Sequence, residues 1–300
     1  MVLFLGRYSL TITSLSSEDF FVLLNIRAPR IILCMMAGVA LSVAGASLQS
    51  CLRNPLVAPY ILGQSQGAAF GAALAMLFLP NCMYLIPASA LVFSFIAVGL
   101  ACSLARVRGE FSTVTTVLSG VIVAGVFTAL LSIIKLASDP YRLSGIVFWM
   151  MGGFHKSCWD DILMALPGLV IGFSILYLMR YRLNVLSMGS NDAKLLGVNI
   201  NRDRLIVIAL STLMCSSIIA VTGIIAWIGL IVPHMARSLI GPDNKYLIPA
   251  SAGLGASLLL ITDTLCRTLT TYDIPVSIIT TLVAAPYFIY LLRKVAGGWN

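Results

Sequence analysis

Residues Ile31–Leu52 read IILCMMAGVALSVAGASLQSCL, without one Asp, Glu, Lys, Arg or His. Crossing a bilayer as a helix takes about 20 apolar residues, so this stretch reads as a membrane span. Working outward, Asn54–Ala105 is equally uncharged. It is long enough for two further crossings preceded by a re-entrant stretch, with Pro80-Asn81 as the turn between them. Phe111–Ile134, Ile162–Met179, Tyr246–Thr262 and Ile274–Leu292 supply one span each. Leu205–Pro233 is long for one helix and short for two. Gly223 and Gly229 interrupt it and Pro233 is expected to end it, which predicts a full span followed by a half-helix, a recurrent device of transporters. Leu143–Phe154 is too short to cross and reads as re-entrant or interfacial. The expected architecture is an all-α transmembrane bundle of nine crossings, counting the half-helix, in a single domain covering 1–300.

Composition agrees. Hydrophobic residues make up 59% of the chain and charged ones 10%, against about 25% charged in soluble domains. With mean hydropathy at +1.00, polar side chains cannot cover a globular surface and lipid must serve as solvent. The net charge of +8 sits in single or paired residues between apolar runs, so no basic stripe exists to track phosphates and nucleic acid is excluded as a partner. The seven cysteines are scattered without a CxxC pair, which argues against a disulfide framework or a zinc site and for small buried hydrophobes. No metal site is expected.

The loops at 53, 106–108, 180–204, 237–245 and the tail after 292 hold twelve of the nineteen basic residues. The positive-inside rule therefore puts those loops and the C-terminus in the cytoplasm of a multi-pass protein of the cell inner membrane. At the other end of the chain, Met1–Leu5 is apolar but is stopped by Gly6-Arg7, and lacks the pattern of a signal peptide.

Several motifs interrupt the spans. Arg27-Ala-Pro-Arg30 places two guanidinium groups about one turn apart, where they can grip carboxylates of a docking protein or simply anchor the helix by snorkelling. Leu48 to Pro59, followed by Leu62-Gly63, carries two prolines in a region whose one charge is Arg53. Irregular backbone at membrane depth is tolerated where it is packed in protein or lines a cavity, so this stretch is expected to line a pathway. Gly67-x-x-x-Gly71 reads as plain helix packing. Leu186–Arg204 is the one long polar stretch. Ser190 or Asn191 is expected to cap a short helix ending at Gly197, with Ala193, Leu195, Leu196 and Val198 as an exposed apolar patch suited to a protein partner. Asp263 and Arg267, four apart near a helix end, suit an internal salt bridge or an outward-facing arginine. No GxxxxGK[ST] or HExxH occurs, so the chain is neither a P-loop ATPase nor a metalloprotease, and His234 reads as a structural hydrogen-bonder.

In order and spacing these segments resemble the FecCD-type permease family of ABC importers for cobalamin, haem and iron–siderophore chelates. The resemblance rests on Arg27-x-Pro-Arg30, Gly45-Ala-x-Leu-Gln49 through Asn54-Pro-Leu56, Trp149-Met-Met-Gly-Gly153, Ala193-x-x-Leu196-Gly197, Gly229-Leu-Ile-Val-Pro-His234 and Ala285-Pro-Tyr-Phe288. It implies ten helices per subunit, a second permease copy, two cytoplasmic ATPase subunits that handle ATP and magnesium, and an external substrate-binding protein. It implies docking of that protein by Arg27, Arg30 and Arg267, and gates at Asn54 and Leu56 and at Ser112 and Thr113. Contact with the ATPase would fall on Gly189, Asp192, Ala193, Leu196 and Gly197. The family's first helix should precede Arg27. Here residues 1–26 offer only its tail, about Met1–Leu5, and an external segment, which points to a truncated or mis-assigned start. No cofactor is expected in the chain itself.

The expected function is thus a non-enzymatic permease that moves a metal chelate by alternating access. The alternative is an ion-coupled secondary transporter, which needs an ionisable residue deep in the bundle; Asp263 is the serious candidate.

Overall fold

A computed structural model describes residues 17–79, 84–107, 110–189, 193, 195–269 and 273–296. The first helix, α1, runs Ser17–Leu52, beginning well before the expected Ile31. Pro29 lies within it without breaking it. A proline cannot donate to the carbonyl four residues back, and the turn just before it, Val22–Arg27, widens to π geometry, with the Ala28 N–H reaching Leu23 O. The Met1–Leu5 segment lies outside the described residues.

Among the described residues ten more helices follow: α2 Gln64–Phe78, α3 Leu85–Ala105, α4 Thr113–Ala137, α5 Pro140–Met151, α6 Trp159–Leu178, α7 Arg180–Met188, α8 Ile200–Thr222, α9 Ile228–Ile240, α10 Asn244–Thr268 and α11 Val276–Ala296. A two-residue antiparallel ladder, Arg106–Val107 with Glu110–Phe111, joins α3 to α4. Six of these helices, α1, α3, α4, α6, α8 and α10, are long and apolar enough to cross a membrane. With α2, α9 and α11 they account for the nine expected segments among the described residues. The short α5 replaces the stretch read as re-entrant or interfacial. The Pro80-Asn81 turn lies outside the described residues.

Helix α1 is the hub of the bundle. Every residue from Ala40 to Leu52 is buried, and most of them are small. A Cβ on Gly38 would stand 2.3 Å from Gly255 O, and one on Gly45 would stand 1.8 Å from Gly229 O. Bare backbone therefore seats α1 against α10 and α9, the small-residue packing that membrane helices use in place of hydrophobic drive. The Gly67-x-x-x-Gly71 pair does the same for α2, against Phe93 O and Ser89 O of α3.

The stretch Leu205–Pro233 divides as expected in number but not in place. Helix α8 ends at Thr222, and Gly223 (φ 72°) and Trp227 (φ 72°) turn the chain into α9. Pro233 does not end that helix; it sits inside it. The carbonyl that Pro233 leaves without its helical donor is that of Gly229, the same atom that faces Gly45 across the helix contact, where no side chain is in the way.

Candidate functional site

The chemistry collects at the two ends of α1. At the Arg30 end, the Arg30 guanidinium clasps Asp263, with Nε 3.1 Å from both carboxylate oxygens and Nη2 2.9 Å from Oδ1. Its Nη1 lies 2.9 Å from Asp273 Oδ2. Arg267 Nε is 4.0 Å from the same Asp263, the i,i+4 pair that the spacing allowed. Asp263 is fully buried, and Arg27 and Arg267 are only 5% and 6% exposed. An unpaired charge at such depth is costly, and this lattice of opposite charges offsets that cost while fixing the start of α1 to the end of α10 and to the segment before α11. The three arginines read as facing a docking partner are thus turned largely inward.

Beside this cluster lies a cavity of ≈ 730 Å³ lined by α5 and the 153–157 segment. Arg142, His155 and Lys156 bring basic groups to it, Phe148 and Trp149 bring aromatic faces, and no carboxylate lines it. Partial burial, with Lys156 and Arg30 nearby, holds the His155 imidazole below its ordinary pKa, and Arg142 is paired with Asp139 at 3.3 Å, so the fixed positive charge facing the cavity is chiefly that of Lys156.

At the Arg53 end, α1 closes in a Schellman arrangement: Asn54 N–H reaches Gln49 O at 3.1 Å, and Arg53 takes the left-handed conformation, φ 50°, that glycine usually fills. Asn54 Oδ1 then accepts from Leu56 N–H at 2.9 Å. A 3-10 turn at Pro59–Leu62 and Gly63 (φ 79°) lead into α2. This irregular stretch is packed in protein: Val57, Pro59 and Leu62 are buried, and α4 rests on it through Gly120, whose Cβ would stand 2.3 Å from Ile61 O. Ser112 caps α4, and Thr113 Oγ1 donates to Leu52 O at 2.9 Å. Asn54, Leu56, Ser112 and Thr113, far apart in sequence, are therefore neighbours. Leu56 is exposed and Asn54 half-buried.

The segment after α7 also sits at this end. Gly189 adopts φ 139° and its carbonyl accepts from Ala193 N–H at 3.1 Å. Val198 N–H closes back on Ala193 O at 3.0 Å around Gly197, φ 75°, so Gly197 stops the turn as expected. The exposed apolar patch is smaller than expected. Leu195 is 87% and Leu196 60% exposed, but Ala193 is fully buried, because its methyl faces the core. Ser190, Asn191 and Asp192 lie outside the described residues.

Sequence reasoning missed the polar residues that join these pieces. Asn184 of α7 donates to Asp243 Oδ1 at 2.6 Å, and its own Oδ1 accepts from the backbone and side-chain N–H groups of Asn244, both at 2.8 Å. Ser50 donates to Asn244 Oδ1 at 2.8 Å. The Asn184 amide and the Lys245 N–H hold Asp243 below the ordinary carboxylate range. Asp243 preceding an apolar run was a readable N-cap signal; nothing in the pattern announced its partner.

A helical bundle with a buried small-residue hub, broken helices and an exposed apolar knob between two polar-tied helices is the build of a multi-pass transport subunit. The family model described as the FecCD transport family matches residues 2–294, and the chain belongs to that family of ABC-importer permeases. It is 36% identical over 311 residues to the molybdate import system permease protein of Haemophilus influenzae, covering 99% of this chain and 92% of that protein. It is 38% identical over 270 residues to the cobalamin import system permease protein of Halobacterium salinarum, covering 90% and 72%. Among solved structures, an inward-facing metal-chelate type ABC transporter superposes with TM-score 0.91 at 36% identity, covering 98% of this chain and 94% of that one.

Proposed function

We propose that this chain is the permease subunit of an ATP-driven importer that carries a metal chelate across the cell inner membrane by alternating access, with its C-terminus in the cytoplasm. The observation carrying this reading is the likeness over nearly the whole chain to a metal-chelate type ABC transporter. In this reading two permease copies enclose the pathway, two ATPase subunits bind ATP and magnesium, and a binding protein delivers cargo at the Arg30 end. Closure of the ATPase pair pushes on Leu195 and Leu196, and the turn at Asn54 and Leu56, braced by Thr113 beside Ser112, opens or closes in response. Docking by Arg30 would require a partner carboxylate to compete with Asp273, whose side chain is 29% exposed. Lys156 and the aromatic faces of Phe148 and Trp149 suit an anionic chelate. The secondary-transporter alternative loses its main support, since Asp263 is already clasped by Arg30.

The test is ATP hydrolysis and cargo uptake by the permease reconstituted with its ATPase and binding protein. Replacing both leucines, L195D/L196D, is expected to abolish binding-protein stimulation of ATP hydrolysis while the purified permease keeps its thermal stability. Full stimulation in that variant would remove the contact assignment. Replacing Lys156 with Glu is expected to slow uptake of an anionic chelate, and unchanged uptake would remove the cavity from the route.

A further inference from the structure

We infer that Asn184 is the positioning residue that ties movement of the 189–197 turn to the turn at Asn54, through Asn244 and Ser50. This rests on the proposed roles of those two turns. Four helices meet here: α7, which leads directly into Gly189; the first residue of α10; the last turn of α1; and the first turn of α4. Polar contacts link the first three directly: Asn184 binds Asp243 and Asn244, and Asn244 binds Ser50; from Ser50 the α1 backbone leads past the left-handed Arg53 to Asn54. Two residues beyond Ser50 the Leu52 carbonyl takes the Thr113 hydroxyl. Asn244 and Ser50 are 1% and 7% exposed, so solvent offers them little in exchange, and a hydrogen bond in such surroundings is strong and directional.

The arrangement does more than complete a helix cap. Asp243 already caps α10 by accepting from Lys245 N–H at 2.9 Å. Asn184 takes the Asn244 N–H that Asp243 leaves free, and in the same contact its amide donates to Asp243, which fixes the amide's orientation and joins α7 to α10. The joint is bounded by helix stops: Gly189 and Gly197 hold positive φ on one side and Arg53 holds it on the other, and α7, the start of α10 and the end of α1 meet between them. A force on Leu195 and Leu196 reaches α1 through this joint; the neighbouring buried contacts, such as Leu183 and Leu247, are apolar and without directional preference.

The test uses the complete importer in proteoliposomes and reads cargo moved per ATP hydrolysed. In Asn184→Asp the donor to Asp243 is lost and two carboxylates face each other. Cargo per ATP is expected to fall at least about tenfold, the size of effect of losing a hydrogen bond to a charged group, while ATP hydrolysis stays within about twofold of the original. The exchange N184D/D243N restores donor and acceptor, because residue 243 as Asn still caps α10 and its amide donates to residue 184 as Asp. Coupling is expected to return to within about twofold. Ser50→Ala, a smaller change, is expected to uncouple partially and serves if the first variant fails to assemble. A merely structural role would lower melting temperature and hydrolysis together and leave cargo per ATP unchanged in whatever complex survives. Unchanged coupling in N184D and S50A, or no recovery in the exchange, overturns the inference. Absence of ATP-driven uptake in the unsubstituted complex would instead sink the importer reading, and this inference with it.

Discussion

Helices α1 and α4 have almost the same hydropathy and opposite fates. Their most apolar windows average 2.2 and 2.5, yet 78% of the α1 window is buried inside the bundle against 33% of the α4 window. What separates them is side-chain size. From Ala40 to Leu52, α1 alternates Ala, Gly and Ser with few large residues, and its glycines meet bare backbone. Helix α4 turns Leu118, Val121, Ile122, Val126 and Ile133 outward, each more than half exposed. In lipid, apolarity does not sort helices between core and surface, because the acyl chains are as apolar as leucine; close backbone approach does.

That contrast can be broken most severely at the Arg30 end. Arg30→Ala leaves Asp263 as a buried charge short of its main partner and should destabilise by about 3–5 kcal/mol, read as lost thermal stability of the detergent-purified permease. Adding Asp263→Asn should recover part of the loss; no recovery would show that Arg30 acts through packing alone. Next comes Gly45→Val, which drives a side chain into Gly229 O and should cost about 3 kcal/mol, the top of the usual overpacking range. The matching change on the outward face of α4, Val126→Leu, should move stability by less than about 0.5 kcal/mol. A second pair of glycine changes sharpens the comparison within α4 itself. A Cβ on Gly125 would meet nothing within 4 Å, whereas one on Gly120 would stand 2.3 Å from Ile61 O. Gly125→Ala should therefore stabilise by about 0.5–1 kcal/mol and Gly120→Ala should destabilise. Equal effects of the two would mean that α4 does not rest on the 59–62 turn.

The helices were legible in the sequence because charge is so costly in lipid that its absence marks a span. The break near Gly223 and the stop at Gly197 were legible because positive φ demands glycine. Pro233 misled, because whether a proline ends a helix depends on what meets the carbonyl it strands, and here that neighbour is Gly45, 188 positions earlier by the difference of the two residue numbers. The carboxylates that hold Arg30 were equally hidden: Asp263 and Asp273 lie 233 and 243 residues from it in sequence. Ala193 was read as exposed from its apolar neighbours, although alternate sides of one short turn face different surroundings. The joint around Asn184 left no trace at all, since Asn and Ser at helix ends are ordinary capping residues.

Because α1 carries its proline through a widened turn instead of breaking, it is a single rod of 36 residues, about 54 Å long at about 1.5 Å per residue. The arginine cluster sits at Arg30, more than a third of the way along it, and the Asn54 turn lies just past its C-terminal tip. Such a rod acts as a lever: a tilt of about 5° about one tip swings the other by about 5 Å, nearly the pitch of one helical turn. A tilt of α1 as one piece would therefore move the Arg30 cluster and the Asn54 turn together.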